Sequence, residues 1–356
     1  MPLIKGRHLA LPVIQGGMGI GVSLGNLAGS VAACGGMGVI SSANTGFREL
    51  DFWQNPLRAN LSTLRDEIKK ALRMAAGKGL VGVNIMVATR QYPQAVETAV
   101  QAGADAIICG AGLPLDLPGL AAENPDVLLA PIVSSGKAAR TICRRWDRSF
   151  GRVPDFVVIE GAEAGGHLGF KREELFGGHA KTLAELLPEV RAELVPYEQK
   201  YNCQIPIFVA GGVYTGQDVA EYVQAGAAGV QIATRFIATH ECDAAQGYKE
   251  IMLAAKPEDV QIVQSPVGMP GRALKSPLFE RLAALGRIAP ERCAGCITSC
   301  KPLETPYCIT QALIEAVRGN WDKGLFFCGS NVGRVQKMLH VDELLAELSR
   351  EWKKIF

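Results

Sequence analysis

Aromatic residues make up only 6% of this 356-residue chain, and its charge is nearly balanced, with a formal net of +2. Balanced charge removes the electrostatic reason to expect a nucleic-acid or anionic-membrane partner. No apolar run reaches the roughly eighteen residues a membrane-spanning helix needs. The opening residues Met1-Pro2-Leu3-Ile4-Lys5 lack the apolar core of a secretion signal, so a cytoplasmic protein is expected. Without such a signal, the ten cysteines read as thiols or metal ligands and not as a disulfide framework. Histidine is scarce too: five occur, at positions 8, 167, 179, 240 and 340.

What is abundant is small and aliphatic. Hydrophobic residues reach 48% and glycine 40 positions, a composition suited to parallel strands buried on both faces. Short apolar, β-branched runs fall at residues 12–15, 37–41, 81–86, 105–109, 128–133, 155–160, 205–210 and 228–232. Glycine or a polar turn follows each, and then a stretch with helical spacing, as in Leu64-Ile68-Leu72 and Ala95-Ala99. Strand–helix alternation of this kind indicates βαβ units and a parallel sheet. Eight such runs favour a closed (β/α)₈ TIM barrel over an open doubly wound sheet, and such a barrel takes about 250 residues.

The residues beyond that length have two expected homes. Residues 161–182 are too many for a simple loop after the sixth strand, and loops at the C-terminal ends of barrel strands line active sites. Near Ser265 the strand–helix rhythm stops, so a barrel over residues 1–264 and a Cys-rich, helical appendage over 265–356, packed on the barrel, are expected. Within the appendage Leu274, Leu278, Leu282 and Leu285 suggest a short amphipathic helix. Leu344, Leu345, Leu348 and Trp352 suggest a closing one.

The glycines are placed where chemistry would need them. The seventh run ends in Ala210-Gly211-Gly212-Val213, ahead of a helix opened by Thr215-Gly216-Gln217-Asp218. The eighth ends in Gln231-Ile232-Ala233-Thr234-Arg235-Phe236. Glycine lets backbone N–H groups approach an anion, helix N-termini stabilise its charge, and the loops after strands seven and eight are where barrels bind phosphate. The plainer reading of Gly211 and Gly212 is a tight turn. Gln15-Gly16-Gly17-Met18, Asn84 in Gly82-Val83-Asn84-Ile85-Met86, Gly110-Ala111-Gly112, and Glu160-Gly161-Ala162-Glu163-Ala164-Gly165-Gly166-His167 are expected on the same face. Glycines there allow a flat ring to lie close to backbone, and Asn84 can donate to or accept from such a ring.

These segments resemble the nitronate monooxygenase (2-nitropropane dioxygenase) family and its relative, the FMN-dependent enoyl-acyl-carrier-protein reductases. The similarity runs motif by motif over residues 12–236 and includes Ser265-Pro266-Val267-Gly268-Met269-Pro270; the Glu-Ala-Gly-Gly-His signature at 163–167, together with Gly82 to Met86, is fairly specific. The resemblance implies FMN held by Gly17, Met18, Asn84, Glu160, Gly165, Gly166, Gly211, Gly212, Gln231, Ile232, Ala233 and Thr234, with His167 near the flavin and in contact with substrate. It implies an enzyme that oxidises alkyl nitronates with O₂, or an NAD(P)H-dependent reductase of enoyl thioesters acting on a small-molecule or acyl-carrier-protein-borne substrate. A homo-oligomer is expected. A flavin or metal redox sensor without turnover is the alternative of another class. Two positions depart from the family pattern: Ala233 stands where glycine is usual, and Glu160 matches the reductases, where nitronate monooxygenases often carry Gln.

His167 lies in a glycine-rich loop where no helix or strand face needs an imidazole for packing, and its ordinary pKa near 6.5 suits acid–base work. A capping or solvated loop histidine is the plainer reading. A barrel of the IMP dehydrogenase kind would need a nucleophilic cysteine after strand six, and residues 161–167 contain none. Cys293, Cys296, Cys300 and Cys308 form C-x₂-C-x₃-C-x₇-C, a spacing compatible with zinc or an iron–sulfur cluster, or with unligated thiols in a small core. Lys137 is either a phosphate-reaching cation or a surface lysine. Trp53, Tyr92 and Phe170 read as packing residues, and Cys34 and Cys109 as core.

Overall fold

The computed structural model describes residues 2–353. Eight parallel strands close a barrel: β1 (Val13–Gln15), β2 (Met37–Ser41), β3 (Leu80–Met86), β4 (Ala106–Gly110), β5 (Leu128–Val133), β6 (Val157–Glu160), β7 (Ile207–Ala210) and β8 (Gly229–Ile232). Each pairs with its chain neighbour, and β8 pairs with β1 through Val230 opposite Val13 and Ile232 opposite Gln15, which seals the ring. All eight apolar runs of the sequence therefore become barrel strands, as their two-sided burial requires.

Two apolar layers hold the barrel. Inside it Ile14, Met37, Val39, Ile108, Ala130, Val158 and Phe208 interdigitate, with Phe156 edge-on to Phe208 at 5.7 Å between centroids. The N-terminal hairpin, Leu3–Ile4 paired with Arg7–His8, contributes fully buried Ile4 and Leu9 to that interior and closes the end away from the strands' C-termini. Outside, strand residues such as Val81, Val83 and Ile107 meet the helix residues Leu64, Ile68, Val96 and Ala99. The helices start on side-chain caps: Ser135 accepts from Ala138 N–H, and Thr182 and Thr215 form reciprocal capping boxes with Glu185 and Asp218.

The tail is built into the same body. The helix that follows β8 directly is a single turn, Thr234–Ile237. The closing helix, Val341–Lys353, packs against Gly216–Gln224 and Gly25–Ala33 instead. It lies between the helices that follow β7 and β1, the place an eighth barrel helix would take. Its Leu344, Leu345 and Leu348 are buried in the core shared with the barrel, worth roughly 1.5–3 kcal/mol each. Ser265 lies in the turn of a hairpin whose strands, Val260–Gln264 and Pro270–Leu274, pair antiparallel. The second strand also pairs with Gly166–His167 of the loop after β6. That long loop is thus partly structured, with this short strand and the helix Arg172–Phe176. The expected amphipathic helix is shorter than the leucine spacing suggested. It spans Pro277–Leu285, buries Leu278 alone and leaves Leu285 exposed, because Leu274 belongs to the preceding strand. Among the described residues no helix is long and apolar enough to cross a membrane.

Candidate functional site

The C-terminal ends of the barrel strands open into a chamber of about 370 Å³, within the range of cofactor sites. Gly17, Met18, Asn84, Glu160, Gly165, Gly166, His167, Gly211, Gly212, Gln231, Ile232, Ala233 and Thr234 all line it. The sequence scattered these residues over more than two hundred positions, and barrel closure brings them to one rim. The turn after β1 is pinned across the sheet: Gly16 N–H donates to Ile232 C=O at 2.8 Å, and Gln15 Oε1 accepts from Val39 N–H at 3.0 Å.

At the end of β3, Asn84 donates through Nδ2 to Ile108 C=O at 3.2 Å. Its Oδ1 keeps no protein partner among the described residues and faces the chamber as an acceptor. Glu160, at the end of β6, makes no side-chain hydrogen bond to the protein among the described residues. Burial alone raises its carboxyl from 4.5 to about 8, so it carries a proton at neutral pH and can donate a hydrogen bond. The loops after β7 and β8 lie opposite. Gly212 has φ +79°, a backbone conformation that favours glycine, and a Cβ there would press on the Glu163 carboxylate. Asn331 Nδ2 donates to Gly212 C=O at 3.2 Å, and Gly329 N–H donates to Thr234 Oγ1 at 2.9 Å, so the tail clamps both loops.

His167 occupies the wall where the tail meets the barrel. Gly271 is its strand partner, Phe327 meets its ring edge-on at 5.1 Å, and Nε2 lies 2.8 Å from Ser265 Oγ. Desolvation lowers its pKa from 6.5 to about 4, so the ring is neutral at working pH. The approach of the tail is so close at Gly165 that a Cβ would fall 2.4 Å from the Cys328 carbonyl carbon. Arg272 donates to the Ala164 and Ala162 carbonyls at 3.1 and 2.5 Å and holds the same loop from outside. Ser265, Arg272, Phe327 and Asn331 thus belong to the site although the strand–helix pattern gave no sign of them. Only Ser265 carried a signal, as the first residue of Ser265-Pro266-Val267-Gly268-Met269-Pro270.

His167 faces a glycine-walled chamber with the loops after β7 and β8 opposite, and comparison with known proteins decides the family. The sequence model of the nitronate monooxygenase family matches residues 2–351. The chain belongs to the nitronate monooxygenase family. Curated relatives within reach include a 5-hydroxy-7a-methyl-1-oxo-octahydro-1H-indene-4-carboxyl-CoA dehydrogenase of Rhodococcus jostii, 28% identical over 277 residues and covering 78% of this chain and 66% of that one. A probable nitronate monooxygenase of Staphylococcus saprophyticus is 24% identical over 295 residues, covering 77% and 78%. The chain spans just under two thirds of the Rhodococcus relative's length. FabK from Thermotoga maritima superposes with a TM-score of 0.72 at 24% identity, covering 97% of this chain and 94% of that one. Nitroalkane oxidase from Streptomyces ansochromogenes does so with 0.71 at 20%, covering 98% and 97%. Both solved structures share the fold.

The cysteines need a correction. Cys293, Cys296, Cys300 and Cys308 flank one small cavity of about 30 Å³ beside Arg90, Tyr307 and Ile309. They do not converge: among the described residues no three His, Cys, Asp or Glu side chains are placed to hold a metal ion. Their sulfurs answer to local partners instead. Cys293 accepts from Gly295 N–H at 3.4 Å, and Cys296 accepts from the Thr310 hydroxyl at 3.0 Å. Sequence spacing brought the thiols near one another, but it did not fix where their sulfurs point. Lys137 is exposed on the first turn of its helix and does not line the chamber. Trp53 packs on Phe52 and Tyr92 is buried against Asp116, away from the site.

Proposed function

We propose that the chamber holds FMN and that the protein is an oxidoreductase of small anionic or carbonyl substrates, with alkyl nitronates as the substrate class. The observation that carries the reading is the neutral, enclosed His167 beside a cradle whose polar atoms without a protein partner among the described residues, Asn84 Oδ1 and the Glu160 carboxyl, face the chamber. Both reach the chamber without a protein partner, so they fit a ligand that offers both a donor and an acceptor, as an isoalloxazine or ribityl chain does. Gly211, Gly212, Ala233 and Thr234 would take the phosphate on backbone N–H groups. Gly17, Met18, Gly165 and Gly166 would leave room for the ring, and Gln231 and Ile232 would border it. When bound, FMN supplies the electron-accepting centre that no side chain provides.

The protein's own part is binding and orientation. His167 is uncharged above about pH 4, so it would act on the substrate as a hydrogen-bond donor to a nitronate oxygen. A neutral donor stabilises that charge without drawing the substrate into an ion pair. Apolar Met86, Ile132 and Phe327 on the walls exclude water around it. Turnover of propionate-3-nitronate or 2-nitropropane with O₂ by flavin-loaded protein tests this reading, and FMN-loaded protein inert to both would exclude it.

One observation favours a second substrate class on the same machinery. Glu160 stands where Gln is frequent in nitronate monooxygenases, and the first relatives and neighbours include a carboxyl-CoA dehydrogenase and FabK. In an enoyl-thioester reaction driven by NAD(P)H, His167 would donate to the thioester carbonyl, whether the acyl group is carried by coenzyme A or by acyl carrier protein. NAD(P)H oxidation dependent on crotonyl-thioester identifies the second class.

A further inference from the structure

We propose that Ser265 is the positioning residue of this site: its hydroxyl donates to His167 Nε2, fixes the imidazole as the Nδ1–H tautomer and presents that N–H to the chamber as the donor to substrate oxygen. The inference rests on the functional reading above for what Nδ1–H contacts, and on the partners of Ser265 Oγ for the tautomer. His167 Nε2 and Ser265 Oγ are 2.8 Å apart, and Nδ1 has no protein partner among the described residues. Ser265 Oγ also accepts, at 3.4 Å, from Val267 N–H. A hydroxyl has one hydrogen to give and two lone pairs. Val267 N–H takes one lone pair, and among the described residues the hydroxyl hydrogen meets no acceptor but the ring nitrogen, so donation to Nε2 is the arrangement that uses it. A neutral imidazole carries one N–H, so accepting at Nε2 places the proton on Nδ1.

The serine is held well enough to specify this. Ser265 is buried, at 2% exposure. Its own N–H donates to Met269 C=O at 3.0 Å and its C=O accepts from Gly268 N–H at 3.0 Å, closing the turn of the tail hairpin. The next strand, Pro270–Leu274, pairs Gly271 with His167 itself, so the turn that carries the hydroxyl and the strand that carries the imidazole belong to one three-stranded sheet with a fixed register. Phe327 closes the ring's other side and bridges to Ala273 of that strand. The tail therefore sets the orientation of the barrel's one chamber-facing histidine. This explains why residues far beyond the eighth strand belong to the reacting site.

Two measurements test it. The first is the ¹⁵N spectrum of histidine-labelled, FMN-loaded wild type near pH 7, with His167→Gln used to assign the signal. The expected pattern is an unprotonated Nε2 and a protonated Nδ1; a protonated Nε2 overturns the proposal. The second compares variants in the flavin half-reaction that consumes the organic substrate. Ser265→Ala should keep FMN stoichiometry and KM, show a mixed tautomer, and lose roughly 10–100-fold in rate, as when an orienting partner of a functional imidazole is removed. Ser265→Thr, which keeps the hydroxyl, should recover most of it. Wild-type rate and an unchanged tautomer in Ser265→Ala refute the assignment. Should Ser265→Ala fail to fold, the wild-type spectrum and Ser265→Thr still decide. A wild type that turns over neither nitronate nor enoyl thioester defeats the functional reading, and the spectrum then judges the serine on its own.

Discussion

Glu160 offers a perturbation whose magnitude follows from the structure. Its carboxyl is enclosed at the end of β6, has no protein hydrogen bond among the described residues, and is raised from 4.5 to about 8 by burial. At about 1.4 kcal/mol per tenfold change in proton affinity, that gap corresponds to at most roughly 5 kcal/mol, and water in the open chamber reduces it to about 2–4 kcal/mol. The sign is fixed by linkage. Below the unfolded value of 4.5 both states hold the proton and the penalty vanishes. As pH rises from there to about 8 the unfolded chain releases its proton and the folded one does not, so stability falls; above about 8 the folded protein carries the full cost. Glu160→Gln cannot titrate. Urea denaturation of flavin-free protein should show the variant nearly equal to wild type near pH 4.5 and more stable by about 2–4 kcal/mol near pH 8.5. Parallel curves across that window would refute the buried, unpartnered carboxyl on which the cradle argument leans.

Other expectations follow from single contacts. Gly212→Val places a branched side chain against Glu163 at φ +79°, and folded, colourless protein is expected by absorbance at the flavin band; full FMN content would move the phosphate site elsewhere. Asn84→Ala removes a chamber-facing acceptor and should weaken FMN binding by about 1–3 kcal/mol in a fluorescence titration, with unchanged affinity removing Asn84 from the cradle. His167, lowered to about 4, should leave the substrate-consuming step flat between about pH 5.5 and 7.5, and a midpoint near 6.5 would contradict its enclosure. Leu344→Ala, in the helix that fills the eighth slot of the barrel, should cost about 2–5 kcal/mol by thermal or urea unfolding; a cost under about 0.5 kcal/mol would mean that the helix does not carry the barrel's outer layer.

The barrel was legible because its strands are buried on both faces and so appear as continuous apolar runs. Residues 37–41 and 128–133, for example, are strands with the bounds read from sequence alone. The chamber-lining glycines were legible because they fall in short runs directly after the apolar strands, where the βα loops of a barrel form its rim. What the pattern hid depends on tertiary register. Ser265, Phe327 and Asn331 reach the site only because the tail hairpin pairs with Gly166–His167, and no periodicity encodes that pairing. The leucine spacing at 274–285 misled because Leu274 shares the helical period while sitting in a strand. The four clustered cysteines misled because C-x₂-C spacing constrains the backbone, whereas the sulfurs of Cys293 and Cys296 turn toward Gly295 and Thr310.

The central claim is that the glycine-walled chamber holds FMN while His167 works on the organic substrate. The most direct measurement takes wild type and His167→Ala, determines FMN per chain, and then follows flavin reduction anaerobically by stopped flow with an alkyl nitronate, and separately with NAD(P)H. One FMN per chain is expected in both proteins, with a fall of about 10²–10⁴-fold in the nitronate-driven step for the variant. Any nicotinamide-driven step should be far less affected. Equal nitronate rates in the two proteins, or loss of FMN from His167→Ala, would contradict it.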